Sequence, residues 1–239
     1  MGSHASRTST LPPDNGQARL LPQPIPYHLM EQIRRAIILG QHPPGGALRE
    51  QALQAEYGCS RGPIREALHL LERRGLVTHA PRHGFRVRQV DAAEVRQLYE
   101  LRALLERHVV EGLVGRITPA LLSELRAVNA LMGRHRDAGD VERYIEANIA
   151  FHATLRAHAP NDPLERAMQV IYEVGEPLRH ALLVRSLRTS RATEEHEAII
   201  ALLAEGRVAD AAAAMHAHVF TGMPAALETV AEAAGRDPA

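Results

Sequence analysis

Four side chains in the second half of the chain have the types and spacings of a metal site. Asn148 and His152 are four residues apart, so on a helix they share one face. Ile145, Ile149 and Phe151 lie around them, which buries part of that helix. His196 follows Glu194 and Glu195 near the start of another helical segment, and His218 comes twenty-two residues later. Three imidazole nitrogens and an amide oxygen form an N/O donor set for a borderline divalent ion such as Zn, Ni or Mn. Helical bundles build such sites from side chains on facing helices. With fourteen histidines in the chain, a solvated or hydrogen-bonded ring at each place is the alternative. His216 lies two residues from His218, about 200° round a helix, and falls outside the set.

A second group sits in the first half. Arg61 and Arg65 are four apart, on a face opposite Ala67, Leu68 and Leu71. A guanidinium can bond guanine O6 and N7 through two parallel hydrogen bonds. Ser60 precedes this segment, placed to cap a helix or donate to a phosphate. Downstream, Arg82, His83, Gly84, Arg86 and Arg88 cluster in a short stretch. There Gly84 lets backbone approach a sugar-phosphate edge and the arginines neutralise phosphate. A solvated face on a helical hairpin is the competing reading of each arginine alone.

The elements that must carry these groups are mostly helices. Residues 1–24 are rich in Pro, Ser, Thr and Gln without an apolar period and read as a flexible arm. From Tyr27, the residues Leu29, Ile33 and Ile37 share a helical face that ends at Gly40. A short helix over 50–57 stops at Gly58, and a third begins after Ser60 with Pro63 in its first turn. Leu76-Val77 and Phe85-Arg86-Val87, joined through Pro81 and Gly84, read as a two-stranded wing. Beyond Asp91 every segment is helical: about 91–115, 119–138, 141–158, 163–187, 191–205 and 207–232, with Gly175 and Pro177 expected to kink the fourth. The fold class is therefore mainly α. A winged helix-turn-helix over 25–90 precedes an all-helical bundle over 91–234, which is expected to serve as a ligand-sensing and dimerisation domain.

Charge divides at the same boundary. Residues 1–90 carry twelve Arg against six acids, a net +6, and residues 91–239 carry sixteen Arg against twenty-two acids, a net −6, with no Lys anywhere. Only one part of such a chain is suited to a polyanion. Aromatics make up 3% and Trp is absent, which suits helix-on-helix packing. No apolar run nears the roughly 18 residues of a membrane span, no secretory signal is visible, and the single Cys59 precludes an internal disulfide. A cytoplasmic, membrane-free protein is expected. Cys59 reads as a small buried hydrophobe, with a redox-sensing thiol as the alternative. There is no His-Glu-x-x-His, nucleophile elbow or Gly-rich phosphate loop, so no enzyme is expected, although a metal-dependent hydrolase is the third reading of the histidines.

The stretch from Ile33 to Phe85, above all Ser60-Arg61-Gly62-Pro63-Ile64-Arg65-Glu66-Ala67-Leu68, resembles the DNA-binding domain of the GntR family of transcriptional regulators. The resemblance implies that Arg61 and Arg65 reach bases and that His83-Gly84 enters the minor groove. Members often carry an Arg just after the Glu that opens the second helix. Gln51 stands there, and Arg49 is the nearest cation. Residues 91–232 resemble the FCD effector domain of the FadR-like branch through Leu98-Tyr99-Glu100-Leu101-Arg102, Asn148-x-x-Phe151-His152, Glu195-His196 and Met215-x-x-His218. That resemblance implies a divalent metal on Asn148, His152, His196 and His218, and Arg102 facing the effector cavity, where it would hold a carboxylate. A surface ion pair with Glu106 is the alternative for Arg102, and Arg185 and Arg188 are weaker candidates for the same task. The function implied is a ligand-responsive regulator that binds a palindromic, double-stranded operator as a homodimer and answers to a small organic acid. A metal-responsive regulator without an organic effector is the other possibility.

Overall fold

The protein is described here through a computed structural model covering residues 24–234. The arm expected over 1–24 lies, apart from Pro24, outside the described residues, as do the side chains of Arg185 and Arg188.

The first helix, α1 (Ile25–Ile38), opens with Pro26 in its first turn and buries Leu29, Met30, Ile33, Ala36 and Ile37. It starts two residues before the periodicity at Tyr27 indicates, because a first-turn proline has no N–H to satisfy. Helices α2 (Glu50–Tyr57) and α3 (Arg61–Arg73) follow, and Gly58 between them takes a left-handed φ of 63° that turns the chain sharply. The wing hairpin, β2 (Val77–Ala80) and β3 (Gly84–Val87), alternates strictly on β3: Phe85 and Val87 face the core, Gly84 and Arg86 face out. A third strand joins it. β1 (Ala47–Leu48) pairs antiparallel with β3, Leu48 opposite Phe85, giving the order β1-β3-β2. Two residues of strand carry no readable period, so the sequence indicates only the hairpin. Ile33, Leu53, Ile64, Leu68 and Leu71 close one core under this sheet.

The rest is helical, and its helices begin where their capping residues stand. In α4 (Ala92–Glu111), α5 (Pro119–Ala138), α6 (Val141–His158) and α7 (Asp162–Ser186), the side chains of Asp91, Thr118, Asp140 and Asn161 each accept a first-turn N–H, at 2.8–3.1 Å. A 3-10 turn (Leu187–Thr189) leads to α8 (Ala192–Ala204). The single helix expected over 207–232 is two: α9 (Val208–Thr221) ends at Gly222 and α10 (Met223–Ala234) starts beyond it. Pro224 cannot donate to the preceding turn, so the hydrogen-bond ladder breaks there. The Gly222 carbonyl accepts from the Ala226 N–H at 3.2 Å and from the Tyr99 hydroxyl at 3.4 Å. α7, by contrast, stays one helix through Gly175 and Pro177.

The bundle core gathers Val109, Leu121, Leu125, Phe151, Leu155, Ile199, Leu203 and Met215 from α4, α5, α6, α8 and α9. The two domains meet along α7. Arg34 on α1 pairs with Glu176, and Arg74 at the end of α3 pairs with Glu173 at 3.4 Å.

Candidate nucleic-acid interface and metal centre

α3 buries Ile64, Ala67, Leu68 and Leu71, which turns Arg61 and Arg65 outward with 69% and 52% of their side chains exposed. Both guanidiniums lean on Glu50 at the start of α2: Arg61 directly, Arg65 at 3.9 Å. Glu50 was not singled out by the sequence pattern, since it belongs to a different helix. It holds the two arginines side by side. Arg49, just before α2, is exposed on the same short stretch, and Ser60 is exposed but its hydroxyl caps no N–H of α3. Ser60 thus occupies the N-cap position of α3 as expected, but without the side-chain cap hydrogen bond. At the wing tip Gly84 has φ 72° and Arg82, unusually for a residue with a side chain, has φ 69°. His83 and Gly84, at the turn and the first position of β3, are exposed. Arg86 is exposed and donates to the Gly45 carbonyl at 2.9 Å. Arg88 does not belong to this face: it pairs with Glu94 of α4.

In the bundle the three histidines converge. His152 of α6, His196 of α8 and His218 of α9 offer ring nitrogens that all lie within 4.8 Å of one another. His196 and His218 approach Nε2 to Nε2 at 3.2 Å. Two carboxylates hold the rings from behind. His218 Nδ1 contacts Glu195 Oε2 at 2.7 Å, and His152 Nδ1 lies 3.0 Å from Glu106 Oε1, within ion-pair range although off the hydrogen-bond direction. A carboxylate behind Nδ1 favours a proton there and leaves the Nε2 lone pair facing its neighbours, as behind metal-bound histidines. The His196 ring stacks flat on Phe151, 3.8 Å between centroids.

Burial drives His152 down to about 4 and His196 well below the ordinary imidazole value, so both rings are neutral and can ligate at neutral pH. Burial opposes ionisation of Glu106, but His152, Arg102 and the Tyr172 hydroxyl outweigh it and hold the carboxyl at about 2. His152 Nε2, His196 Nδ1 and Asn148 Oδ1 are buried without a partner. Buried polar atoms are rarely left so. Three imidazole nitrogens and one amide oxygen are the donor set a borderline divalent ion takes, and the residues present fit such an ion.

Asn148 and His218 line a cavity of about 290 Å³, as do Tyr99, Arg102, Tyr144 and Arg179. Arg102 does approach Glu106, but the pair is buried and not on the surface as its alternative reading had it. Arg102 is 9% exposed, borders the cavity, and stands 3.7 Å from Glu106. Burial opposes its charge, yet Tyr172, Glu106 and Tyr99 more than restore it. Two groups escaped the sequence reading. Tyr172 of α7 donates its hydroxyl to Glu106, and burial followed by Glu106 raises the phenol, so it stays a donor. Arg179, also on α7, is 8% exposed and borders the cavity. The nearest signal was Gly175, four residues earlier, which had been read as a kink.

Residues 97–221 match the FCD domain, and residues 27–87 match the bacterial regulatory proteins of the gntR family. The chain belongs to the GntR family, in the branch with an FCD domain. It is thus a transcriptional regulator with a helix-turn-helix domain. Its curated relatives include the HTH-type transcriptional regulator LutR of Bacillus subtilis (strain 168), 30% identical over 75% of this chain and 91% of that one. Another is the Nta operon transcriptional regulator of Aminobacter aminovorans, 28% identical over 78% of this chain and 87% of that one. Among solved structures, E. coli McbR/YncC superposes with a TM-score of 0.67 at 21% identity, covering 87% of this chain and 98% of that one. A putative transcriptional regulator GntR from Rhodococcus sp. RHA1 gives 0.67 at 22%, over 89% and 99%. These two likenesses show a shared fold. No helix among the described residues is long and apolar enough to cross a membrane.

The contact between Tyr172 and Glu106 is open to direct measurement. Tyr172→Phe keeps the ring and removes a donor from a fully buried carboxylate, so unfolding free energy should fall by about 1–3 kcal/mol. Urea denaturation followed by circular dichroism checks this. An unchanged midpoint would mean that the hydroxyl contributes nothing there.

Proposed function

We propose that this regulator grips a palindromic operator as a homodimer, through α3 and the wing of each copy, and that a small carboxylate held beside a divalent metal ion sets its affinity. The DNA half of this reading rests on the paired, outward guanidiniums of Arg61 and Arg65, with Arg49, Ser60, His83 and Gly84 around the same face. One recognition helix reads only a few base pairs, so two-fold symmetry supplies the remaining specificity. The outer face of α4 supports pairing of copies: Leu101 and Leu104 are 47% and 58% exposed there. Arg61→Ala and Arg65→Ala should each weaken operator binding by about 1–3 kcal/mol and relax base preference. Arg86→Ala should weaken binding to every sequence alike and flatten the salt slope by about one unit. Fluorescence anisotropy on operator and scrambled duplexes distinguishes these. Undiminished specific binding by Arg65→Ala would mean that another element reads the bases.

The sensing half rests on one observation, the convergence of unpartnered buried donors on the cavity that Arg102 borders. Asn148, His152, His196 and His218 would hold one Zn, Ni or Mn ion, which would supply Lewis acidity and positive charge to an anionic ligand. Arg102, anchored by Glu106, orients a carboxylate through its fork. The buried guanidinium favours an organic effector over a sensor of metal alone, which has no use for it. The family, whose members act on DNA, supports a cytoplasmic place of action. Protein purified without a His-affinity step should carry about one metal equivalent per chain, and chelation should lower its melting temperature by mass action. Asn148→Ala, on a part-exposed residue, and His196→Gln should shrink that chelator-dependent shift. Less than a tenth of an equivalent, with no thermal shift on adding Zn, Ni or Mn, would overturn the metal site.

A further inference from the structure

The reading above leaves one buried cation unused. Arg179 is 8% exposed and borders the same cavity as Arg102, Asn148 and His218. Its Nη2 donates to the Tyr172 carbonyl at 2.9 Å and its Nε has no partner. Among the described residues no carboxylate pairs with it. Glu176, less than one turn earlier, places its oxygen on Arg34 of the DNA-binding domain. Fully buried arginines are almost always paired, so an Arg179 without a carboxylate is an exception that calls for a partner.

The helix gives up a side chain to seat it. A Cβ at Gly175 would come within 2.9 Å of Arg179 Nη1, so a side chain there would push the mobile guanidinium away from its present place along α7. Gly175 has an ordinary negative φ, and glycine weakens a helix interior. The backbone therefore does not call for glycine at this position; what its missing side chain leaves open is the place the guanidinium occupies.

Charge around Tyr172 is unbalanced in the same sense. Arg102 and Arg179 each hold Cζ 5.1 Å from the Tyr172 ring centre. Arg156 stacks there too, at 5.0 Å, but has its own acid in Glu165 at 2.8 Å. The fully buried acid beside the other two is Glu106, already engaged by Arg102, His152 and Tyr172. Burial, then the repulsion of Arg102, holds Arg179 down at about 10, still charged at neutral pH. A ligand anion would relieve that repulsion, and a metal ion beside it would leave room for a second one.

We propose that Arg179 is a second anion anchor, so that the effector is a small acid with two anionic groups: one at Arg102 and the metal, the other on Arg179. This rests on the effector reading above and narrows it to diacids small enough for the roughly 290 Å³ cavity.

Calorimetric titration of the metal-loaded protein tests it, with succinate and glutarate set against their single-carboxylate counterparts butyrate and pentanoate. A charge-assisted fork should make the better diacid bind at least about tenfold tighter than its monoacid. Arg179→Gln should reduce diacid affinity to the monoacid level while leaving monoacid affinity within about twofold, and Arg102→Gln should weaken both. Gly175→Ala, which keeps the charge but crowds the guanidinium, should act in the same direction as Arg179→Gln and guards against a misfolded variant. Monoacids binding as tightly as diacids, or Arg179→Gln weakening both classes equally, would overturn the second anchor and leave the carboxylate reading standing. Binding of neither class to wild type would overturn both.

Discussion

The bundle depends on one buried carboxylate. Glu106 has no exposed surface, and a lone ion there would be too costly to keep. It is retained because three groups from three helices meet it: Arg102 from its own helix α4, His152 from α6 and the Tyr172 hydroxyl from α7. Each contact fixes something else. His152 is turned so that its other nitrogen faces His196 and His218, Arg102 is held at the cavity wall, and α7 is fastened against α4. Glu195 repeats the first of these tasks for His218 from α8. A carboxylate behind an imidazole sets both the tautomer and the direction of the free lone pair, so these two acids shape the proposed metal centre without touching it.

The same helix that closes the cavity also carries the DNA-binding domain. Tyr172 and Arg179 of α7 face the buried site, while Glu173 and Glu176, between them in sequence, face Arg74 and Arg34 of the N-terminal domain. A ligand can shift a conformational equilibrium only by binding two arrangements unequally. Here any ligand that touches Arg179 touches the helix on which the reading head rests. Arg88, which pairs with Glu94 rather than facing outward with Arg86, and Arg35, which meets Glu142 of α6 at 3.4 Å, add further ties across the boundary. The positive N-terminal half and the negative C-terminal half thus do more than assign the polyanion to one domain. They also supply the pairs that hold the halves together.

Much of this is legible in the sequence for a physical reason. Helix starts are local: Asp91, Thr118, Asp140 and Asn161 cap the segments they precede, and Gly58 stops α2 where a left-handed residue is needed. The pair Asn148 and His152 is visible because helical spacing alone puts them on one face. What escaped depends on contacts between distant segments. Tyr172 meets Glu106 across sixty-six positions, and Glu50 meets Arg61 and Arg65 from another helix. Gly175 is visible in the sequence, but its place against the Arg179 guanidinium four residues on is not, because that depends on how the arginine folds back. The break at Gly222 was missed although Pro224 marks it, because the apolar period of α9 continues into α10.

If Glu106 organises the site, its charge, and not only its shape, must matter to metal affinity. The direct measurement is the metal dissociation constant of Glu106→Gln against wild type, by competition with a chromogenic chelator, with circular dichroism confirming the fold. Removing such a partner behind a ligating histidine typically weakens metal binding by about 10–100-fold, and that loss is predicted here. A well-folded Glu106→Gln protein that holds the ion as tightly as wild type would contradict the account.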